Sequence, residues 1–158
     1  MSRIGFGFDT HKLEAGRDFW LGGIKIAHDK GASGHSDADV LIHAVCDAML
    51  GAAALGDIGT HFPDTSAEFR DIDSKILLER TLKLINDKGF SIGNIDTTIV
   101  LQNPKINPYI TEMIRTLAEV LETDPSRISI KAKTSEKLGF IGREEGLSAY
   151  AIVLLQEP

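Results

Sequence analysis

Asp9 and His11 are separated by one residue, and their side chains are a pair that could bind a metal ion. Residues two apart in a β-strand point to the same side, so the carboxylate and the imidazole would project together. One more histidine would complete two imidazoles and one carboxylate, a donor set that zinc takes with one coordination position left open. His43 is the best-placed third ligand, because it lies inside a predicted helix and off its apolar stripe. The pattern predicts a zinc site; a chance Asp-x-His and a partly exposed helix histidine are the alternative.

Two acids share the predicted helix of His43. Asp39, His43 and Asp47 are spaced i, i+4 and i+8, so they form a polar row along one helix face. One of these acids is expected to accept a hydrogen bond from the imidazole and so to orient the metal ligand. Cys46 lies among apolar helix positions and is expected in the core.

Three segments carry groups that suit a phosphate. Residues 34–37 (Gly-His-Ser-Asp) precede the predicted helix, and the N–H groups at a helix N-terminus attract anions. The segment 131–140 offers Lys, Thr and Ser donors together with Glu136, and Mg²⁺ is typically held by one carboxylate plus substrate phosphates. Pro104 and Lys105 follow a predicted strand in the same way. A capping loop and solvated strand ends are the alternatives.

The stretch 56–72 is a long predicted loop with acids beside glycine and proline. Its motifs are Asp-Ile-Gly at 57–59 and Phe-Pro-Asp-Thr at 62–65. Long loops in compact domains are often functional, and carboxylates accept hydrogen bonds from sugar or polyol hydroxyls. The same residue types are common in ordinary turns, which the residues alone favour.

Length and composition exclude several classes of protein. The 158 residues suit a single domain over 1–158, and 17 Lys+Arg against 23 Asp+Glu give a net charge of −6. This balance argues against a nucleic-acid partner bound through net charge. One cysteine excludes an intrachain disulfide framework and a thiolate zinc module. The N-terminus lacks a signal peptide's apolar region, and the longest uncharged apolar run, 48–56, is far short of the roughly 20 residues of a membrane helix. We therefore expect a cytoplasmic protein without a membrane partner.

The spacing of apolar residues predicts the elements that hold these groups. The predicted strands are 3–8, 19–26 with a bend at Gly22-Gly23, 94–102, 127–133 and 147–155; the predicted helices are 39–55, 74–87 and 107 to about 121; the predicted loops are 28–38 and 56–72. Ser36 or Asp37 is expected to cap the first helix and Asn107 the third. The nearly all-apolar strand 147–155 is expected to be covered on both faces. The order predicts an α/β (α+β sandwich) fold, with helices packed on a mixed sheet.

Six short motifs follow one another along the chain. They are Gly-Phe-Asp-Thr-His at 7–11, His-Ser-Asp-Ala-Asp-Val at 35–40, Leu-Gly-Ala-Ala-Ala-Leu-Gly-Asp-Ile-Gly at 50–59, Phe-Pro-Asp-Thr at 62–65, Gln-Asn-Pro-Lys at 102–105 and Thr-Ser-Glu-Lys-Leu-Gly-Phe at 134–140. Any one of them is weak evidence, but six in this order, over essentially the whole chain, are specific. On these motifs the sequence resembles the 2-C-methyl-D-erythritol 2,4-cyclodiphosphate synthase family of the non-mevalonate isoprenoid pathway.

The resemblance implies a homotrimer with active sites at the subunit interfaces. It implies one zinc ion per subunit at Asp9, His11 and His43, and a second divalent ion, Mg²⁺ or Mn²⁺, at Glu136. His35 and Thr134 match the positions credited with stabilising the transition state. The residues that it implies contact substrate are Asp9, Thr10, His11, His35, Ser36, Asp57, Ile58, Gly59, Phe62, Pro63, Asp64, Thr65, Ser66, Leu101, Gln102, Asn103, Pro104, Lys105, Ile106, Asn107, Ala132, Lys133, Thr134, Ser135, Glu136, Phe140 and Arg143.

The reaction implied by the resemblance converts 4-diphosphocytidyl-2-C-methyl-D-erythritol 2-phosphate to the 2,4-cyclodiphosphate and CMP. The 2-phosphate is already anionic at neutral pH, so catalysis reduces to positioning and charge neutralisation. Two other classes use the same residues. A zinc hydrolase would attack a nucleotide phosphate with water at the Asp9-His11-His43 site. A non-catalytic module would bind a nucleotide or an isoprenoid diphosphate without turnover.

Overall fold

Five strands form one mixed sheet in the computed structural model, which describes residues 1–157. The described residues contain seven strands, which are β1 (Ser2–Ala15), β2 (Phe19–Leu21), β3 (Ile24–Ile26), β4 (Lys30–Ser33), β5 (Ser91–Val100), β6 (Ile128–Lys133) and β7 (Gly146–Gln156). The helices are α1 (Val40–Ala52), α2 (Ile58–His61), α3 (Ser74–Asp87), α4 (Ile110–Val120) and α5 (Gly139–Gly142). Short 3-10 turns occupy Ala67–Phe69, Asn107–Tyr109 and Pro125–Arg127. The sheet order is β4-β1-β7-β5-β6, and β2 and β3 form a separate hairpin.

The pairing directions confirm the predicted mixed sheet. β1 pairs antiparallel with β4 and β7, β7 pairs antiparallel with β5, and β5 pairs parallel with β6. α4 lies in the connection between the two parallel strands, as expected for a β-α-β unit. The predicted α/β class, with helices packed on a mixed sheet, is therefore correct.

Two glycines let α1 lie directly against β1. A Cβ atom on Gly5 would lie 1.8 Å from the carbonyl oxygen of Ala48, and one on Gly7 would lie 2.1 Å from that of Ala44. Side chains at these positions would push the helix off the strand. The missing side chains thus set the distance between the strand that carries Asp9 and the helix that carries His43.

The side of the sheet that faces α1 holds the main hydrophobic core. Ten of the 13 residues of α1 are buried, including Cys46, as predicted. Burial raises the pKa of the Cys46 thiol to about 12, so the thiol is neutral and acts as a small apolar group. Asp39 is fully buried and caps α1 by accepting from the N–H of Ile42 at 3.1 Å. The predicted caps, Ser36 and Asp37, were therefore wrong.

The opposite side of the sheet exposes a stripe of large apolar residues. Its members on β1 and β7 are Ile4, Phe6, Phe8, Tyr150 and Ile152, which are between 40% and 73% exposed. Tyr150 stacks between Phe6 and Phe8, with ring centroids 6.5 and 6.1 Å away. Within residues 1–157 nothing covers this face, so the prediction that the last strand is covered on both faces was wrong for one chain by itself.

Several element boundaries also differ from prediction, because edge-strand pairing and short turns leave little periodicity in the positions of the apolar residues. β1 runs to residue 15 instead of 8, and its C-terminal part pairs with β4, which lies inside the predicted loop 28–38. The predicted loop 56–72 contains α2 and a 3-10 turn. α5 was not predicted. Asn107 makes no capping hydrogen bond, because a 3-10 turn leads into α4.

Candidate metal centre and ligand cavities

Asp9, His11 and His43 converge on one point. Asp9 Oδ2 lies 2.8 Å from His11 Nε2 and 3.0 Å from His43 Nδ1, and the two nitrogens are 3.2 Å apart. β1 supplies the first two residues on the same side of the strand, and α1 supplies the third. Within residues 1–157 this is the one group of three or more His, Cys, Asp or Glu residues arranged to hold a metal ion.

The imidazole of His11 is oriented by backbone. Its Nδ1 lies 3.1 Å from the carbonyl oxygen of Ser33, on the neighbouring strand β4. A carbonyl only accepts, so Nδ1 carries a proton, and in the neutral ring the lone pair is on Nε2, the atom that faces Asp9. Nothing in the sequence marked Ser33, because a backbone carbonyl has no residue signature.

The imidazole of His43 is oriented by two hydroxyl groups. Its Nε2 lies 3.1 Å from Ser36 Oγ and 3.0 Å from Ser74 Oγ. The acids predicted for this role are occupied elsewhere: Asp39 accepts from the N–H groups of Gly22 and Gly23, and Asp47 accepts from the N–H of Ile58. The predicted orienting role of Asp39 or Asp47 was therefore wrong.

The electrostatics of the three residues follow from their mutual contact. Burial by itself raises the pKa of Asp9, but hydrogen bonds from His11 and His43 outweigh it and hold that pKa well below its ordinary value. Burial by itself lowers the pKa of His11, but the hydrogen bond to Asp9 outweighs it and raises that pKa. Asp9 is therefore a carboxylate at neutral pH, and positive charge is favoured beside it.

The donor set fits a metal ion. Two imidazole nitrogens and one carboxylate oxygen are the ligands of many catalytic zinc sites, and they leave a coordination position open. The far nitrogen of each ring is engaged by protein, as is usual for metal-bound histidine. A cation among the three atoms would take the place of the protons that the two imidazoles donate to Asp9.

A cavity of about 430 Å³ opens beside the three residues. It is lined by His11, His35, Ser36, His43, Ile58, Gly59, Phe62, Pro63, Asp64, Thr65, Phe69 and Leu77. Most of these are residues that the sequence analysis assigned to metal, phosphate or polyol binding. Phe69 and Leu77 were missed; they form an apolar wall, and as core-type residues they gave no functional signal in the sequence.

Other predicted residues of this region lie at its edge. Asp57 is exposed and caps α2 by accepting from Thr60 N at 2.9 Å, and the hydroxyl of Thr10 bonds to Ser148 at 2.7 Å on β7. Asp57 therefore shapes the loop here, and Thr10 ties two strands together. The carbonyl of Ser66 lies 3.2 Å from His35 Nε2, so the end of the loop holds that imidazole.

A second, smaller cavity of about 180 Å³ lies where β5 and β6 end. It is lined by Leu101, Gln102, Pro104, Lys105, Ile106, Asn107, Ala132, Lys133 and Thr134. All nine were predicted to contact substrate, and none lines the first cavity. On one chain the structure thus brings the predicted residues together as two separate groups.

The remaining predicted residues lie outside both cavities. The amide of Asn103 donates to the carboxylate of Glu144, beside the second cavity. Ser135 and Glu136 lie in the turn after β6. Phe140 is 41% exposed at the start of α5, and Arg143, just after it, forms an ion pair with Glu145 at 2.9 Å.

Comparison with known proteins adds a family and several relatives. Residues 2–156 match the profile of the YgbB family. The 2-C-methyl-D-erythritol 2,4-cyclodiphosphate synthase of Porphyromonas gingivalis is 60% identical over 153 residues, which is 97% of this chain and 94% of that protein. The structure is similar to the bifunctional IspDF from Campylobacter jejuni (TM-score 0.96, 40% identity); the match covers 100% of this chain and 43% of that longer one. It is also similar to IspF of Plasmodium falciparum, solved as a CDP complex (TM-score 0.87, 38% identity, 99% and 96% covered). No helix within residues 1–157 has the length and hydropathy to cross a membrane.

Proposed function

The chain belongs to the YgbB family, and on this premise we propose that it catalyses a cyclisation with release of CMP. The substrate is 4-diphosphocytidyl-2-C-methyl-D-erythritol 2-phosphate, and the product is 2-C-methyl-D-erythritol 2,4-cyclodiphosphate, a precursor in non-mevalonate isoprenoid synthesis. The observation that carries the proposal is the 60% identity to a synthase of this name over 97% of the chain. We keep a cytoplasmic location as part of it, because the substrate is a charged, water-soluble molecule.

The proposed reaction moves no water and needs no redox partner. An oxygen of the 2-phosphate forms a bond to the β-phosphorus of the diphosphate, and the bond from that phosphorus to the bridging oxygen breaks. CMP leaves with the electron pair of the broken bond. The attacking oxygen is already an anion, so the protein has to position two phosphates that repel each other and to neutralise their charge.

Asp9, His11 and His43 would hold a zinc ion beside the first cavity, where both phosphates meet. The 2.8–3.2 Å separations of their ligand atoms support this role. When bound, zinc supplies a Lewis acid that draws charge from the phosphate oxygens. His35 and Ser36, which line the same cavity, would donate hydrogen bonds to these oxygens. The loop 57–66 would hold the methylerythritol part, with backbone and Asp64 accepting from its hydroxyls.

The second cavity would bind the cytidine and the α-phosphate. Its volume of about 180 Å³ and its position at two strand ends are suited to a base and a ribose edge. Lys105, Lys133 and Thr134 would meet the diphosphate, and the exposed Glu136 would ligate Mg²⁺ or Mn²⁺ together with it. The similar Plasmodium falciparum protein was solved as a CDP complex, which supports a cytidine nucleotide as ligand.

A homotrimer would bring the two cavities of different chains together. One chain has the metal residues and the second cavity in groups that share no lining residue, which fits the resemblance's implication that a neighbouring subunit contributes the second group. The exposed stripe on β1 and β7 gives such copies an apolar surface to bury. Light scattering after size-exclusion chromatography tests this state: a monomer at micromolar concentration contradicts it.

The direct test incubates the zinc-loaded protein with the phosphorylated cytidyl substrate and Mg²⁺ and follows ³¹P NMR. The proposal expects a cyclic diphosphate and CMP in equal amounts. Reaction in H₂¹⁸O should leave both products unlabelled. Label in a released phosphate would instead indicate a zinc hydrolase, and ligand binding without turnover would indicate a binding module.

A further inference from the structure

The geometry points to Ser74 and Asp37 as positioning residues that set which nitrogen of His43 is available to the metal. Neither residue lines the cavity, and neither was singled out in the sequence for this role. The inference rests on the proposed metal site and deepens it, because it concerns how one of the proposed ligands is oriented toward the metal.

Asp37 fixes the direction of the hydrogen bond made by Ser74. The Ser74 hydroxyl contacts one oxygen of the Asp37 carboxylate at short range, and the other oxygen accepts from Ser74 N at 3.0 Å. A carboxylate only accepts, so the hydroxyl proton of Ser74 points to Asp37. The oxygen of Ser74 is then left as an acceptor on its other side. Ser74 is fully buried, so no solvent competes for it.

The acceptor side of Ser74 faces His43. Ser74 Oγ lies 3.0 Å from His43 Nε2, so this nitrogen must be the donor and carry the proton. The other nitrogen, Nδ1, lies 3.0 Å from Asp9 Oδ2, so a metal ion beside Asp9 would bind Nδ1 in place of its proton while Nε2 keeps its own. The hydrogen bonds of Asp37, Ser74 and His43 thus run in one direction and leave Nδ1 as the nitrogen for the metal.

Ser36 cannot do this by itself. Its hydroxyl also lies 3.1 Å from His43 Nε2, but its oxygen accepts from Ala38 N at 3.2 Å and its proton is tied to no carboxylate. The Ser36 hydroxyl can therefore turn to suit either tautomer of His43. With Nε2 protonated through Ser74, the proton of Ser36 is left free for an anion in the cavity.

The first experiment reads the protonated nitrogen of His43 directly in the zinc-loaded wild-type protein. Long-range ¹H–¹⁵N NMR reports which nitrogen of His43 keeps its proton when zinc is bound. We expect Nε2–H. A proton on Nδ1 overturns the proposal, whether or not the protein has the proposed enzymatic activity, so the two can fail separately.

The second experiment compares two buried hydroxyls of the same helix. Ser74→Ala should weaken zinc binding by roughly 10- to 100-fold in a chelator competition and give a mixture of His43 tautomers. Ser74→Thr, which keeps the hydroxyl, should restore both. The control is Thr81→Ala, because Thr81 is equally buried but donates to Leu77 O at 2.8 Å. Equal zinc affinity in Ser74→Ala and Thr81→Ala would assign Ser74 a packing role only and refute the inference.

Discussion

Asp47 Oδ1 accepts a hydrogen bond of 2.7 Å from the backbone N–H of Ile58. The helix that supplies His43 therefore also holds the first turn of the loop that lines the metal-side cavity. Asp47 is four residues from His43, so one helix sets the position of both His43 and the loop.

Removing this link should loosen the loop and spare the metal. We expect Asp47→Ala to lower the free energy of unfolding by about 1 kcal/mol and to raise KM for the substrate several-fold, with zinc content unchanged. Asp47→Asn is the matched control: it keeps an acceptor and removes a charge. Burial raises the pKa of Asp47, so at neutral pH this charge costs stability, and the asparagine variant should be at least as stable as wild type. Chemical denaturation measures the free energy of unfolding, and steady-state kinetics measures KM. Equal KM values for wild type and both variants would contradict a role of the Asp47–Ile58 hydrogen bond in holding the loop.

Loss of the helix ligand should abolish metal binding without unfolding the chain. His43→Ala leaves two ligands, and we expect zinc content by elemental analysis to fall to a small fraction of one ion per chain, with no detectable turnover. His28→Ala is the control, because His28 lies beside Phe19 and Asp29, away from the cavity. Full zinc occupancy in His43→Ala would remove His43 from the ligand set.

The exposed Glu136 should affect only the second metal. Glu136→Gln is expected to raise the Mg²⁺ concentration needed for half-maximal activity at least tenfold, while zinc content stays at the wild-type value. Glu122→Gln is a suitable control, since Glu122 is also exposed and has a similar left-handed backbone, with φ of 50° against 55°. A Mg²⁺ titration that is the same in both variants would count against the role of Glu136.

The pH dependence of the melting temperature should have opposite signs with and without zinc. The raised pKa of His11 stabilises the metal-free fold below the unfolded value of about 6.5, and this contribution is lost as pH rises through the folded value. The lowered pKa of Asp9 stabilises the fold above about 3.9, so it does not change in this window. Zinc must displace the His11 proton, so zinc affinity should fall about tenfold per pH unit below that pKa. Melting temperatures against pH, with zinc or with chelator, test both trends; parallel curves would contradict the shared proton site.

The close approach of α1 to β1 predicts opposite results for two glycines. A Cβ atom on Gly7 would lie 2.1 Å from the carbonyl of Ala44, and we expect Gly7→Ala to cost about 3 kcal/mol or more and to weaken zinc binding by separating the ligands. The atom outside α1 nearest to a Cβ on Gly51 would be Phe6 O, at 3.9 Å, so Gly51→Ala should stabilise α1 by up to about 1 kcal/mol. Thermal denaturation with and without zinc measures both effects, and a stable, zinc-binding Gly7→Ala would contradict this account of the packing.

The three residues that the sequence analysis grouped as a metal site lie together in the structure, because their grouping depended on residue type and local spacing. Asp9 and His11 lie on one side of a strand by geometry alone, and His43 was the one histidine inside a predicted helix. The groups that orient His11 and His43 could not be predicted, since Ser33 contributes a backbone carbonyl and Ser74 is 31 residues from His43. The prediction that Asp39 or Asp47 orients His43 was wrong, because both carboxylates accept hydrogen bonds from backbone N–H groups of other parts of the chain.

The fold was predictable to the extent that the pattern of buried residues is regular. The helices α1 and α3 and the strands β5 and β6 lie within a few residues of the predicted ranges. β4 and the second half of β1 were missed, because polar residues such as Lys12 and Lys30 dominate an edge pairing that the hydrophobic period does not reveal. The exposed face of β7 was misjudged, since an apolar strand sequence does not show whether helices of the same chain cover both of its faces.

The separation of the two cavities has a genetic consequence under the proposed trimer. A chain that carries His43→Ala keeps an intact nucleotide cavity, and a chain altered at Lys133 or Thr134 keeps an intact metal centre. Two alleles that are each inactive should therefore complement one another when both are expressed in one cell. Some mixed trimers would contain a site that combines the intact metal centre of one chain with the intact second cavity of the other.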